Sequence, residues 1–290
     1  MPDHVAGQAA TTAPALRRRR TPARVVRGWP RDSGYRPGRL AGWWLPLAFF
    51  ALVELGARLE FIPARLFPPP SELAQTLWNL ARRGELASHV AASLVRVLAG
   101  FAGGSALAVL LGFLVGLSRR AEAVLEPTLQ ALRAIPSLAW IPLLLLWLGI
   151  DEPPKVVLIA IGAFFPVYLN LVAGLHDIDH KLVELGTSCG LSTTELIRHV
   201  LLPGCLPYLF AGLRGGLSLA WMFLVAAELI AATRGIGYLL SDGRESSRPD
   251  LVLAAILVLA ILGKLSDSLL RALERTCLRW RDAHRPQPRQ

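Results

Sequence analysis

Long apolar runs alternate along the chain with short polar breaks. Runs at roughly 41–60, 89–117, 122–149, 154–175, 207–232 and 251–271 are each long enough to cross a bilayer, which takes about 20 apolar residues. The pattern predicts six membrane-spanning helices and no sheet, an all-α polytopic membrane protein. Trp43 and Trp44 at the head of the first run suit a membrane interface. Pro68, Pro69 and Pro70 then form a linker, and Ser71 with Glu72 starts a short amphipathic helix to Leu80. Pro136 and Pro142 break the third run, and Pro154 opens the fourth, which carries Pro166 inside it.

Composition agrees. Of 290 residues 53% are hydrophobic and 18% charged, against about 25% charged in a soluble domain. The net charge of +10 gathers in the tails, with Arg17 to Arg20, Arg24, Arg27, Arg31, Arg36 and Arg39 at one end and Lys264 to Arg289 at the other. Arg119 and Arg120 fill the break between runs two and three, whereas 150–153 carries only Asp151 and Glu152 as charges. The excess of Lys and Arg on the cytoplasmic side places both termini and the 176–206 loop inside. Residues 1–40 are expected to be a disordered Arg-rich cytoplasmic tail, 41–275 the transmembrane domain and 276–290 a second cytoplasmic tail. The basic tails carry no interleaved aromatic platform, which argues against nucleic-acid binding. The apolar run starts too far beyond Arg17–Arg20 for a twin-arginine leader, so a retained first span is expected. Cys189, Cys205 and Cys277 form no CxxC pair, and neither a disulfide nor a metal site is expected.

The polar stretch 178–203 has the makings of a rigid knob. A helix beginning at Ile178 or Asp179 runs through Leu185, and Gly190 is its natural break. Ser192 with Glu195 predicts a capping box for a second helix bearing Leu196, Ile197 and Val200 on one face. Pro203 is expected to end that helix and turn the chain back into the membrane. No GxxxxGK[ST] occurs, since Gly263-Lys264 is followed by Leu265. If ATP drives the protein, another subunit binds it and this chain presents a handle. His176 and His180 would share one face of a helix, a zinc-like spacing, but no third ligand or HExxH accompanies them, and they read as solvated loop residues.

Glu184, Leu185 and Gly186, then Gly190, Val200, Leu202 and Pro203, stand at offsets that resemble the cytoplasmic EAA loop of ABC-importer permeases, with Leu185 where the usual residue is Ala. The resemblance covers about 66–281 and includes SLVRVLAGFAGG (93–104), LRAIPSLAWIPLLLLWLGID (132–151), FPVYLN (165–170), VAAELIAATRGIGYLL (225–240) and LGKLSD (262–267). Within that group the chain looks most like aliphatic-sulfonate permeases, with taurine, nitrate and pyrimidine-precursor permeases as close relatives. The resemblance implies a type I importer permease (MetI-like) fold. It also implies a homodimer in the bacterial inner membrane, two ABC ATPase subunits inside that hold ATP and Mg, and a periplasmic or lipid-anchored substrate-binding protein outside. No cofactor is expected on this chain. Residues 187–194 would form the ATPase contact, with Glu184, Leu185, Gly186, Ser188, Gly190, Leu191, Ser192, Leu202 and Pro203 as its motif positions.

Charges within the runs invite explanation, because each costs about 2.5–3.5 kcal/mol at a span centre by insertion scales. Arg96 and Arg133 are candidates for an anion-attracting surface in a substrate pathway, the alternative being pairing with a helix carboxylate or snorkelling. Arg214 lies near the cytoplasmic side of run five, and Glu54 lies in run one. Glu228 is a structural partner or part of an outer gate. Trp140, Tyr168 and Trp221, with Trp147, Phe164 and Phe165, line the pathway or pack in the core. Glycines at 100/104, 112/116 and 212/216 mark close helix contacts, either within the chain or between copies. The two glycines of Arg234–Tyr238 allow a tight re-entry of the chain outside the membrane. An intramembrane enzyme is disfavoured because Ser105 and Ser218 have no His partner in a span, His89 only bordering one. A secondary transporter is disfavoured by the knob and by the lack of two matching broken-helix halves.

Overall fold

The computed structural model describes residues 44–59, 61 and 67–282. The expected tail at 1–40 lies outside the described residues. The chain falls into two compact units, Met1–Ala48 and Phe49–Gln290. In the first, only the opening residues of α1 (Trp44–Arg58) are described. The second continues with α2 (Pro70–Arg82), α3 (Glu85–Leu117), α4 (Arg119–Ala134), a 3₁₀ turn (Ser137–Trp140), α5 (Ile141–Leu148) and α6 (Glu152–His176). It ends with α7 (His180–Ser188), α8 (Thr193–Leu196), a π turn (Ile197–Leu201), α9 (Leu202–Ala231), α10 (Ile236–Glu245), α11 (Pro249–Cys277) and α12 (Arg279–Asp282).

Among the described residues, four helices are long and apolar enough to cross a membrane: Glu85–Leu117, Glu152–His176, Thr193–Ile230 and Pro249–Cys277. The α4–α5 pair, bent by 88°, is a fifth candidate. The bend falls where Ile135 is extended (ψ 123°), as expected for a residue that precedes a proline. Helix directions show that this pair does traverse the bundle. Gly100 faces Ile159, Gly112 faces Leu171 and Gly116 faces Leu175, so α3 and α6 run parallel. The chain must therefore return from the end of α3 to the start of α6 through residues 119–148. The six spans of the sequence reading are not all matched. Of the first, the described residues form a 15-residue helix, Trp44–Arg58.

Glycines set the central packing. A Cβ added to Gly100 would lie 2.7 Å from Ile159 Cβ, and one added to Gly216 would lie 2.9 Å from the Ala163 carbonyl. Gly104 abuts the Ala160 backbone, and Gly212 would bring a Cβ 3.0 Å from Val167 Cα. Each glycine pair predicted from four-residue spacing thus serves contacts inside the chain, seating α3 and α9 against α6. In lipid, where apolar transfer gives little drive, such backbone approach supplies the dispersion that holds helices together. α6 is accordingly the most enclosed helix, with Leu158, Ile159, Ala163, Val167, Tyr168 and Leu171 all buried.

The chain does not break at Pro203. Thr193–Ile230 is continuous, and the π turn lies just before the proline. Leu202 N–H bonds back to Ile197 O, one residue further than an α-helix would reach. A widened turn relieves the clash between a proline ring and the preceding carbonyls. Pro203 follows at once in the same continuous helix, which lacks one backbone donor there.

Candidate functional site

The end of the bundle at which α6 finishes carries the knob. Asp179 caps α7, its carboxylate accepting from Lys181 N–H at 3.0 Å. The helix ends in a double hydrogen-bonded turn: Gly190 N–H bonds to Thr187 O at 3.0 Å and Leu191 N–H to Gly186 O at 3.1 Å. That motif needs a left-handed residue after the last turn, and Gly190 has φ +79°. Ser192 then caps α8 in a full capping box, with Ser192 N–H on Glu195 Oε2 at 2.8 Å and Glu195 N–H on Ser192 Oγ at 3.4 Å.

Gly186 is buried where α7 meets the next segment. A Cβ there would lie 2.6 Å from Leu196 Cδ1 and 3.4 Å from Leu191 Cδ1. A small residue is therefore a packing requirement at 186. At 185 it is not, because Leu185 is 61% exposed. Glu184, Thr187, Ser188, Cys189, Gly190 and Ser192 are exposed around the turn, and Leu182 adds a second exposed apolar side chain. Leu202 and Pro203 form the root of the knob, at the first turn of α9. The knob is thus locally self-supporting, with its tip bare. The two histidines lie on different helices, His176 ending α6 and His180 opening α7. His176 Nε2 sits 3.8 Å from Glu122 Oε1.

The opposite end holds an ion network in which Arg96, Lys155 and Glu228 are buried and Glu152 is exposed. Arg96 Nη1 donates to Glu228 Oε1 and to the Arg234 carbonyl, both at 2.6 Å. Its Nε and Nη2 grip the two oxygens of Glu152 at 2.5 and 2.7 Å. Lys155 Nζ reaches the same carboxylate at 3.2 Å, so two cations balance two anions. Glu228 also accepts from Ser93 Oγ at 2.8 Å. This is the carboxylate pairing held above as the alternative to a pathway role for Arg96.

The network seats the start of α10. Three successive backbone N–H groups find side-chain acceptors: Gly235 on His89 Nδ1 at 3.0 Å, Ile236 on Ser93 Oγ at 2.8 Å and Gly237 on Glu228 Oε2 at 2.7 Å. These are the donors a helix start leaves unsatisfied. Gly235 has φ +133° and Gly237 would bring a Cβ within 2.6 Å of Glu228 Cβ, so both glycines permit the close approach.

The other candidate pathway residues are not gathered here. Arg133 is exposed on α4 and has no ion-pair partner among the described residues. Trp140 packs beside the Val97–Leu158–Leu224 cluster. Tyr168 is buried and donates to Glu126 Oε2 at 2.6 Å. Trp221 donates its indole N–H to Ser266 Oγ at 2.9 Å. Glu54 binds Arg58 and accepts from Ser71 N–H at 3.2 Å, capping the start of α2. Sequence reasoning missed Ser93, Glu152 and Lys155 as members of the network and did not give His89 a partner. A signal existed: His89, Ser93 and Arg96 stand at i, i+4 and i+7, a polar stripe on one face of an otherwise apolar helix.

Residues 104–279 match the family described as binding-protein-dependent transport system inner membrane component. The chain is 44% identical over 246 residues to a protein of Escherichia coli (strain K12) named as an aliphatic sulfonates transport permease, SsuC, covering 85% of this chain and 94% of that one. It is 39% identical over 265 residues to the protein of the same name from Bacillus subtilis (strain 168), covering 91% and 95%. A solved structure of the MetNI methionine ABC transporter in inward-facing conformations shares the fold, with a TM-score of 0.57 at 22% identity over 70% of this chain and 98% of that one. The chain therefore belongs to the family of inner membrane components of binding-protein-dependent transport systems, and it is an ABC-importer permease.

Proposed function

We propose that the permease carries aliphatic sulfonates inward, as a homodimer that binds two ATPase subunits on the cytoplasmic side and a substrate-binding protein, periplasmic or lipid-anchored, outside. ATP and Mg sit on the ATPase subunits, and this chain performs no bond chemistry and binds no cofactor. The observation that carries the reading is the α7–Gly190–α8 knob, built rigidly by its own caps yet exposed at its tip. The cargo assignment is supported by the names of the two sulfonate permeases, which this chain resembles over most of its length. The basic tails, with Arg119 and Arg120 at the knob end, support a cytoplasmic knob and cytoplasmic termini in the inner membrane. In that orientation α1 belongs to a sixth crossing. Glu184, Leu185, Gly186, Ser188, Gly190, Leu191, Ser192, Leu202 and Pro203 form the coupling element.

The continuity of 193–230 gives the coupling a mechanical path. The knob is fused to a rod of 38 residues, about 57 Å long at 1.5 Å per residue, whose far end bears Glu228. When ATP closes the ATPase pair, the two knobs draw together and each rod moves as a rigid body. The displacement reaches the Arg96–Glu228 network at the outer end, where the pathway opens. Hydrolysis reverses it.

The test is reconstitution with the ATPase subunits and candidate binding proteins in liposomes. An alkanesulfonate-loaded binding protein is expected to stimulate ATP hydrolysis and drive sulfonate uptake. Stimulation by taurine, nitrate or a pyrimidine precursor alone would reassign the cargo within the same machinery. Uptake that ignores ATP would contradict the reading.

A further inference from the structure

The LGKLSD segment is not absorbed by the knob or by the ion network. It forms one wall of a groove of roughly 720 Å³ between α9 and α11. Ser218, Trp221 and Arg214 line the α9 wall, and Gly263, Lys264 and Asp267 line the α11 wall. Glycines keep it open on both sides: nothing lies within 4 Å of a Cβ placed on Gly263, and only Pro166 Cβ, at 3.6 Å, meets one on Gly215. Trp221 is anchored through its indole N–H to Ser266, which fixes its ring as an apolar wall.

The charges in the groove are unequal. Arg214 is engaged by Asp267 at 3.3 Å and Glu274 at 3.7 Å, and Asp267 is also held by Arg271. Lys264 is exposed and has no ion-pair partner among the described residues. It is the sixteenth residue of the 29-residue helix Pro249–Cys277, within the apolar run 251–271 and towards its cytoplasmic end. An ammonium at that position is not left against lipid tails, and intramembrane charges of this kind face a water-filled cavity or a counter-ion. Three cations (Arg214, Lys264, Arg271) against two anions (Asp267, Glu274) leave one positive charge uncompensated.

We propose that this groove is an anion subsite of the translocation pathway, in which the Lys264 ammonium and the Ser218 hydroxyl hold the sulfonate head of the cargo while the Trp221 ring packs its alkyl chain. The ligand class rests on the cargo reading above, whereas the anion preference does not. A sulfonate is a permanent monoanion with three acceptor oxygens, which matches a three-donor ammonium plus a hydroxyl. Asp267, already shared between two arginines, leaves Lys264 free for the passing anion.

The experiment is thiol modification of Ser218→Cys in the assembled transporter in liposomes, with Cys189 and Cys277 replaced by Ser and Cys205 left buried in place. The probes are two methanethiosulfonates of similar size, one carrying an ethanesulfonate and one a trimethylammonium group. The anionic probe is expected to react at least 10-fold faster than the cationic one. Lys264→Gln is expected to bring that ratio to about 1, and Lys264→Arg to preserve it. Free ethanesulfonate is expected to protect the thiol. Protection by nitrate equal to that by ethanesulfonate would keep the subsite and overturn the cargo reading. A thiol inert to both probes would place the groove against lipid or against a second copy and overturn the proposal, with a Ser218→Cys disulfide-linked dimer identifying the second case. A ratio unchanged by Lys264→Gln would also overturn it.

Discussion

Arg96 and Glu228, 132 residues apart in sequence, meet through a 2.6 Å contact between Nη1 and Oε1 in which the carboxylate has no exposure at all and the arginine side chain only 6%. The pair ties α3 to α9, and through Gly237 N–H it ties both to α10. Breaking one partner of a buried pair leaves an uncompensated charge, a loss of about 3–5 kcal/mol. Arg96→Gln and Glu228→Gln are each expected to lower the thermal stability of the purified protein strongly. The double substitution is expected to cost less than the sum of the two, because no charge is then stranded. Thermal unfolding of the three variants in one detergent measures this, and strictly additive losses would mean that the contact is not the source of the effect.

The parallel contact of α3 with α6 makes a sharper contrast. Gly100→Leu forces a side chain into Ile159 and the Val156 carbonyl, an overpacking worth about 1–3 kcal/mol or more. Gly103→Leu, three residues on, meets nothing within 4 Å and is expected to stay within about 0.5 kcal/mol of the parent. Thermal unfolding separates the two, and equal losses would show that the glycine face is not what seats the helices.

The capping box predicts a local effect. Ser192→Ala removes the Oγ that accepts Glu195 N–H and is expected to cost about 1 kcal/mol of helix stability. Amide hydrogen exchange at Thr193–Ile197 is expected to quicken several-fold, while exchange in α6 stays unchanged. Faster exchange throughout the bundle would contradict the view that the knob is built by its own caps.

At the tip, the packing of α7 sorts two neighbouring substitutions. Gly186→Leu collides with Leu196 and is expected to displace α7, with loss of ATPase copurification. Leu185→Ala changes only an exposed side chain and is expected to leave the knob folded, so any weakening of the ATPase contact reports the docking surface itself. Copurification of the ATPase with each variant measures both, and a Gly186→Leu variant that binds like the parent would remove the packing argument.

How much of this was legible in the chain depends on the range of each interaction. The Gly190 turn and the Ser192–Glu195 box are closed by residues within five positions of each other, so sequence alone placed them. The glycine pairs announced close contacts, and the structure supplied their partners on α6. Arg96 and Glu228 were visible as charges in apolar runs, but their meeting is tertiary, and Glu152 looked like one acid in a short loop. Pro203 was misread because the rule that proline ends a helix is local, and the π turn before it absorbs the strain. The zinc-like spacing of His176 and His180 assumed one helix where Asp177–Asp179 separates two.

If the bare knob transmits the ATPase stroke, as proposed, Gly190 is where a substitution blocks docking without touching the protein's own packing. A Cβ at this position would point into open space, so a side chain placed there obstructs a docking partner rather than the protein's own core. Gly190→Asn tolerates the left-handed backbone with a short side chain, and Gly190→Arg adds bulk at the proposed contact. ATP-driven sulfonate uptake should be measured in proteoliposomes containing equal amounts of each variant with its ATPase and binding protein. Uptake is expected to persist with Gly190→Asn and to fall at least 10-fold with Gly190→Arg, a loss larger than the roughly 1 kcal/mol of backbone strain that Arg adds at φ +79°, with the bundle still folded by thermal unfolding. Full uptake and full ATPase binding with Gly190→Arg would contradict the proposed coupling.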